Sequence, residues 1–182
     1  MPNWCDNVVN VQTTNVQKLS DLVEAASEGR LLSFLVPPPN NYDDPSNDSN
    51  SALPFWYMWN AKNWGTKWDV DHCEVHEQSP TEVILNFYSA WGPPVKAFIK
   101  GASTHDFSFR MHWFDPVMEM LGTAEIEPDY YSIQDESMDF PTAELNEIFG
   151  ITEFLEEEEH AWKNHLERRR KKRYEVARHN KR

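Results

Sequence analysis

An α+β fold is predicted by three features of the sequence. Two apolar stripes repeat every 3.6 residues, at 16–26 and 95–102, and stretches of alternating apolar residues lie before and after each. Glycines and prolines punctuate the chain between these stretches, at 29, 37–39, 65 and 92–94. Four of the eight tryptophans, Trp56, Trp59, Trp64 and Trp68, crowd into residues 55–69. A large aromatic side chain buries roughly 150–250 Å², so the fold or a ligand must cover this segment.

The elements follow in order. Residues 4–13 alternate as a strand, with Cys5, Asn7, Val9 and Val11 on one face and Trp4, Val8 and Asn10 on the other. Thr14 and Gln17 have the spacing of a capping box, Val16, Leu19, Leu22, Val23 and Ala26 form the helical stripe, and Gly29 closes it. Residues 31–36 are apolar up to the proline triple, and the polar run 40–51 reads as a surface loop. Trp59, Asn63 and Trp64 share one side of a short helix that Gly65 stops.

Residues 69–78 read as a second strand, Ser79-Pro80 as a turn and 81–91 as the returning strand. Val83, Leu85, Phe87 and Ser89 share one face of the latter; Ile84, Asn86, Tyr88 and Ala90 share the other. Gly92-Pro93-Pro94 opens a helix whose apolar side is Val95, Phe98, Ile99 and Ala102. A fourth strand alternates Phe107, Phe109, Met111 and Trp113 with Ser108, Arg110 and His112. The order strand, helix, strand, strand, helix, strand is the split βαβ or ferredoxin-like (βαββαβ) arrangement.

Residues 117–127 add a short strand or hairpin around Gly122 and complete a domain over 1–127. Residues 128–141 read as an acidic linker, and 142–182 as a C-terminal helical extension with a basic end. Thr142 caps its first turn, Gly150 interrupts it and Thr152 restarts it. Acidic residues at 156–159 precede Lys163 and the later basic run, as the helix dipole favours. Phe154, Leu155, Trp162 and Leu166 form only a thin stripe, suited to a helix that projects or docks on a partner.

The charge is divided between two regions. Residues 161–182 hold 10 Lys/Arg against 2 Asp/Glu, whereas residues 1–160 hold 7 against 28, a balance of −21. Such a body repels nucleic acid unless the tail engages it first. No apolar run approaches the ~20 residues that span a bilayer, and the polar start is unlike a signal peptide. A soluble protein of the cytoplasm is therefore expected. Two cysteines, Cys5 and Cys73, are too few for the usual iron–sulfur ligation.

Three tryptophan-centred motifs stand out: Met1-Pro2-Asn3-Trp4-Cys5 with Asn7, then Asn63-Trp64-Gly65-Thr66-Lys67-Trp68-Asp69, then Ser89-Ala90-Trp91-Gly92-Pro93-Pro94. Together they resemble the YubB/Api92-like family, found in phages, plasmids and other bacterial mobile elements. The resemblance covers about residues 1–125. It implies the ferredoxin-like fold and a mobile-element origin, but no reaction, because a fold by itself does not give a function. Gly92 departs from the serine of the family's Trp-Ser-Pro-Pro pattern, and Asp115 with Met118 only loosely echoes its Glu-Pro-Gly stretch.

The candidate chemistry is sparse. His72, Glu74 and His76 point the same way on a strand, but no fourth metal ligand is indicated, so no metal is assigned. Cys5 or Cys73 with His72, His76, His105 or His112 gives many combinations and no oxyanion-hole loop. With 6 glycines there is no phosphate-binding loop, and no cofactor is expected. A candidate binding site combines Asn3, Trp4, Asn63, Trp64, Lys67, Trp68, Asp69 and Trp91. The tail residues Arg168, Arg169, Arg170, Lys171, Lys172 and Arg173 form a candidate nucleic-acid contact.

The leading expectation is a non-enzymatic accessory protein that binds a host or phage macromolecule, a protein first of all, for host takeover or anti-defence. A second reading places a small-ligand or enzymatic site under the tryptophan cluster, between the Trp-Gly-Thr loop and the second helix, with Lys67 and Asp69 open to it. A third is RNA or DNA binding through the tail.

Overall fold

The computed structural model describes residues 3–44, 53–161 and 163–164. The chain divides into two compact units, residues 1–139 and 140–182. The first is an α+β unit built on a six-stranded antiparallel sheet of order β2-β3-β1-β4-β5-β6. Its strands are β1 (Trp4–Gln12), β2 (Cys73–Ser79), β3 (Glu82–Ala90), β4 (Ser108–Asp115), β5 (Met120–Glu127) and β6 (Tyr130–Glu136). Its helices are α1 (Val16–Ser27), α2 (Leu31–Leu35), α3 (Phe55–Asn63) and α4 (Val95–His105).

The alternation expected in β1 sorts its residues as the sequence indicates: Cys5, Asn7, Val9 and Val11 are buried, and Trp4 is exposed. Leu85, Val9, Met111 and Ala124 stand in register across four strands, forming one core row. Phe98 of α4 fits between Phe87, stacked at 6.1 Å, and Phe109, edge-on at 4.9 Å. Such aromatic packing helps fill the layer between sheet and helices.

Several local expectations are revised. Asn15, not Thr14, is the α1 cap, its side-chain oxygen accepting from the Lys18 amide at 3.1 Å. The apolar run after Gly29 is a short helix, α2, with Leu31, Leu32 and Leu35 buried. Residues 69–72 precede β2 as loop, because the carboxylate of Asp69 is committed to a helix terminus. The stretch read as an acidic linker contains β6, which pairs along β5 from Leu121 to Glu127. Gly122 lies inside β5 rather than at a turn: a Cβ there would come within 2.4 Å of the Trp113 ring and 2.5 Å of the Gln134 carbonyl. Its missing side chain is what lets Trp113 and β6 close over it.

The second unit contains α5 (Ala143–Phe149) and a helical run at 151–161. Thr142 caps α5 by accepting from Leu145 N, and Gly150 ends it in the left-handed conformation at φ 59°. Asn146 Oδ1 then accepts from both the amide and the hydroxyl of Thr152, each at 2.8 Å. Lys163 pairs with Glu159 at 2.7 Å on one helical face. The basic cluster at 168–173 lies outside the described residues.

Candidate functional site

The backbones of the three tryptophan motifs meet at one end of the sheet. Trp4 is paired in register with Ala90, and the Trp91 amide donates to the Asn3 carbonyl at 3.0 Å. The Thr66 hydroxyl donates to the Ala90 carbonyl at 2.6 Å, and the Ala97 amide to the Trp64 carbonyl at 3.3 Å. Beneath them, the fully buried Asn7 donates from Nδ2 to Cys5 O at 2.8 Å, Phe87 O at 3.2 Å and Ser89 Oγ at 2.9 Å. Ser89 passes the connection on to Gly92 O at 2.8 Å. Buried polar groups must find partners, and here the partners are the strands and loop that need fixing.

The indoles do not all gather where the backbones do. Trp64 is buried and donates from Nε1 to Val36 O at 2.9 Å, with Trp59 edge-on at 5.4 Å. Trp4 and Trp91 instead face outward, 46% and 50% exposed. Trp64 therefore clamps the core, while Trp4 and Trp91 furnish surface.

The polar residues of the candidate site are engaged within the protein. Asp69 accepts Leu32 N and Ser33 N at 2.7 and 2.9 Å, and Val70 N at 2.8 Å, closing the start of α2. Asn63 donates to Trp59 O at 2.8 Å and accepts from Lys100 Nζ at 2.7 Å. The Lys67 ammonium lies 4.6 Å from the Trp68 ring centroid and 5.8 Å from that of Tyr57. The space between the Trp-Gly-Thr loop and α4 is closed by contact: a Cβ on Gly65 would stand 3.5 Å from Pro93 O and 3.6 Å from Lys96 Cγ.

An open cleft does exist, on the other side of the loop. It has a volume of about 310 Å³ and is lined by Trp4, Trp68, Asp69, Asp71, His72 and Tyr88. Trp4 and Trp68 form a wedge, ring centroids 6.2 Å apart at 59°. Tyr88 is 58% exposed beside Asp6, its partner on β1, whose carboxylate holds the phenol above its ordinary range. Of the eight candidate residues, Trp4, Trp68 and Asp69 line the cleft. Asn3 and Trp91 supply the strand-end link, and Asn63, Trp64 and Lys67 support the loop.

Candidate nucleophiles and ligands fare differently. Burial, with Asp115 and Asp6 nearby, pushes the Cys5 thiol up to about 12, and burial beside Glu74 does the same for Cys73. Both stay protonated at neutral pH, the opposite of an activated thiolate. His105 is sandwiched between Phe34 at 4.7 Å and Phe107 at 5.8 Å. His76 and Glu74 stand 4.0 Å apart on the surface, and among the described residues no group of three His, Cys, Asp or Glu is placed to hold a metal ion.

No family model and no curated protein matches the chain. Among solved structures, a protein Api92 from Yersinia pseudotuberculosis, with the family model DUF1281, superposes with a TM-score of 0.57 at 8% identity. The match covers 75% of this chain and 99% of that one. At this identity the likeness is one of fold.

Tyr88, Asp71 and His72 are the cleft residues that sequence reasoning missed. Alternation places Trp4 and Tyr88 each on the face opposite the buried one. Only the Trp4↔Ala90 register makes them diagonal neighbours. Among the described residues no helix is long and apolar enough to cross a membrane.

Proposed function

We propose that this chain is a non-enzymatic accessory protein of a phage or other mobile element, binding a host or phage protein through the aromatic cleft beside Trp4. The observation that carries this reading is the exposure of Trp4, Tyr88 and Trp91 around one end of the sheet while Asn63, Lys67 and Asp69 are committed to internal contacts. Half-exposed large aromatics on a rigid strand end have the character of protein-binding hot spots. The raised thiols speak against a cysteine nucleophile, and the contact between the loop and α4 speaks against a ligand site between them.

The same proposal carries the finer fold assignment. The order β2-β3-β1-β4, extended at one edge by β5 and β6, supports the reading as a ferredoxin-like split βαβ unit, and the fold likeness supports an Api92-like relationship. The setting is the cytoplasm of a bacterial host.

Affinity capture from bacterial lysate tests the reading, comparing the full chain with a Trp4→Ala/Tyr88→Ala double variant. One dominant protein recovered by the parent and lost by the variant is the expected result. Equal recovery by both, or nothing recovered across several salt concentrations, would overturn it.

A further inference from the structure

The cleft has chemistry that selects what enters it. Its 310 Å³ lies at the lower end of the roughly 300–1,000 Å³ typical of small-molecule sites, which suits one long side chain better than a cofactor. The rings of Trp4, Trp68 and Tyr88, two carboxylates and the His72 imidazole contribute to the walls. Asp69 is committed to the α2 amides, whereas Asp71 is exposed and has no hydrogen bond or ion pair among the described residues. Aromatic faces carry negative potential, so rings beside an unneutralised carboxylate attract a cation and disfavour an anion.

Trp68 already holds a cation of the protein's own, which leaves Trp4 and Tyr88 as the cleft rings without one among the described residues. Lys67, which does not line the cleft, places its ammonium 4.6 Å from the Trp68 centroid. At longer range, residues 1–139 hold 7 Lys/Arg against 21 Asp/Glu, and this balance draws basic partners toward the surface and repels acidic ones.

We infer that the cleft takes the guanidinium of an arginine from a basic segment of the partner protein, laid against the Trp4 and Tyr88 rings with Asp71 as its counter-ion. This rests on the reading of the cleft as the partner-binding site. Arginine fits better than lysine, because its flat and weakly hydrated head stacks on rings while its fork pairs with a carboxylate.

The test uses the full chain and a short capped glycine–arginine peptide, with the citrulline counterpart as a neutral probe of nearly the same shape. Binding is read from tryptophan fluorescence and from indole N–H shifts in nitrogen-resolved NMR spectra. The arginine peptide is expected to saturate, with the citrulline peptide about tenfold weaker. Asp71→Asn is expected to weaken arginine binding about threefold, more so at low salt, and Tyr88→Ala about tenfold. Both side chains are exposed, so unchanged urea midpoints would verify that the fold is retained.

Equal binding of the two peptides, no effect of Asp71→Asn, or no saturable arginine binding would each overturn the assignment. If Trp4→Ala/Tyr88→Ala still abolishes partner capture in that event, only the arginine assignment has failed. If the double variant captures the partner normally, the partner-site reading itself has failed.

Discussion

The carboxylate of Asp69 accepts the Leu32 amide at 2.7 Å, joining the tryptophan loop to the start of a helix 37 residues earlier. Its other oxygen takes Ser33 N at 2.9 Å. At five residues, α2 is too short to persist alone, and it is held by this cap and by three buried leucines. Asp69→Ala is therefore expected to cost about 1–2 kcal/mol, in the range of lost helix caps. Asp69→Asn, which retains an acceptor, should cost less. Urea unfolding measures both.

Trp64 and Trp91 should separate cleanly in the same assay. Trp64→Ala removes a buried indole and is expected to cost about 3–5 kcal/mol. Trp64→Phe leaves the Val36 carbonyl without its donor and should cost about 1–3 kcal/mol. Trp91→Ala, at a half-exposed position, should stay within about 0.5 kcal/mol. Trp91 also holds a left-handed backbone at φ 72°, so Trp91→Gly is expected to maintain stability or raise it by up to about 1 kcal/mol.

Gly122→Ala is expected to destabilise by about 1–3 kcal/mol, the usual cost of overpacking. The new methyl would meet both the Trp113 ring and the Gln134 backbone, so the damage should centre on β6. Hydrogen exchange along Tyr130–Glu136 is the readout, with faster exchange there than in β1.

The two thiols make stability sensitive to alkali. Their folded values, near 12, lie above the ordinary 9.0, so the folded chain retains protons that the unfolded chain releases. Their stabilising contribution is complete below about pH 9 and falls as pH rises toward about 12. Urea midpoints should drop between about pH 9 and about pH 12, less steeply in a Cys5→Ala/Cys73→Ala variant. Folded protein should also react slowly with thiol reagents near pH 8 and quickly once unfolded.

Much of the architecture was legible because side-chain periodicity reports burial directly. The alternation around Val9 and Leu85, the stripe through Leu19 and Leu22, and the Thr142 and Gly150 boundaries of α5 all depend on neighbours within a few residues. The strand β6 was harder to read. Its exposed Tyr130, Tyr131 and Ile133 alternate with polar residues on an edge, where pairing to β5 supplies order without deep burial.

Sequence alone determined β1, β3, β4, α1 and α4 and the buried face of β1, because residue type and spacing fix which way side chains turn. Tertiary structure decided that Asp69 caps α2, that Trp64 turns inward while Trp4 turns outward, and that Tyr88 and Asp71 complete the cleft. Those outcomes depend on strand register and on competition among distant polar partners. Neither is encoded in any local repeat.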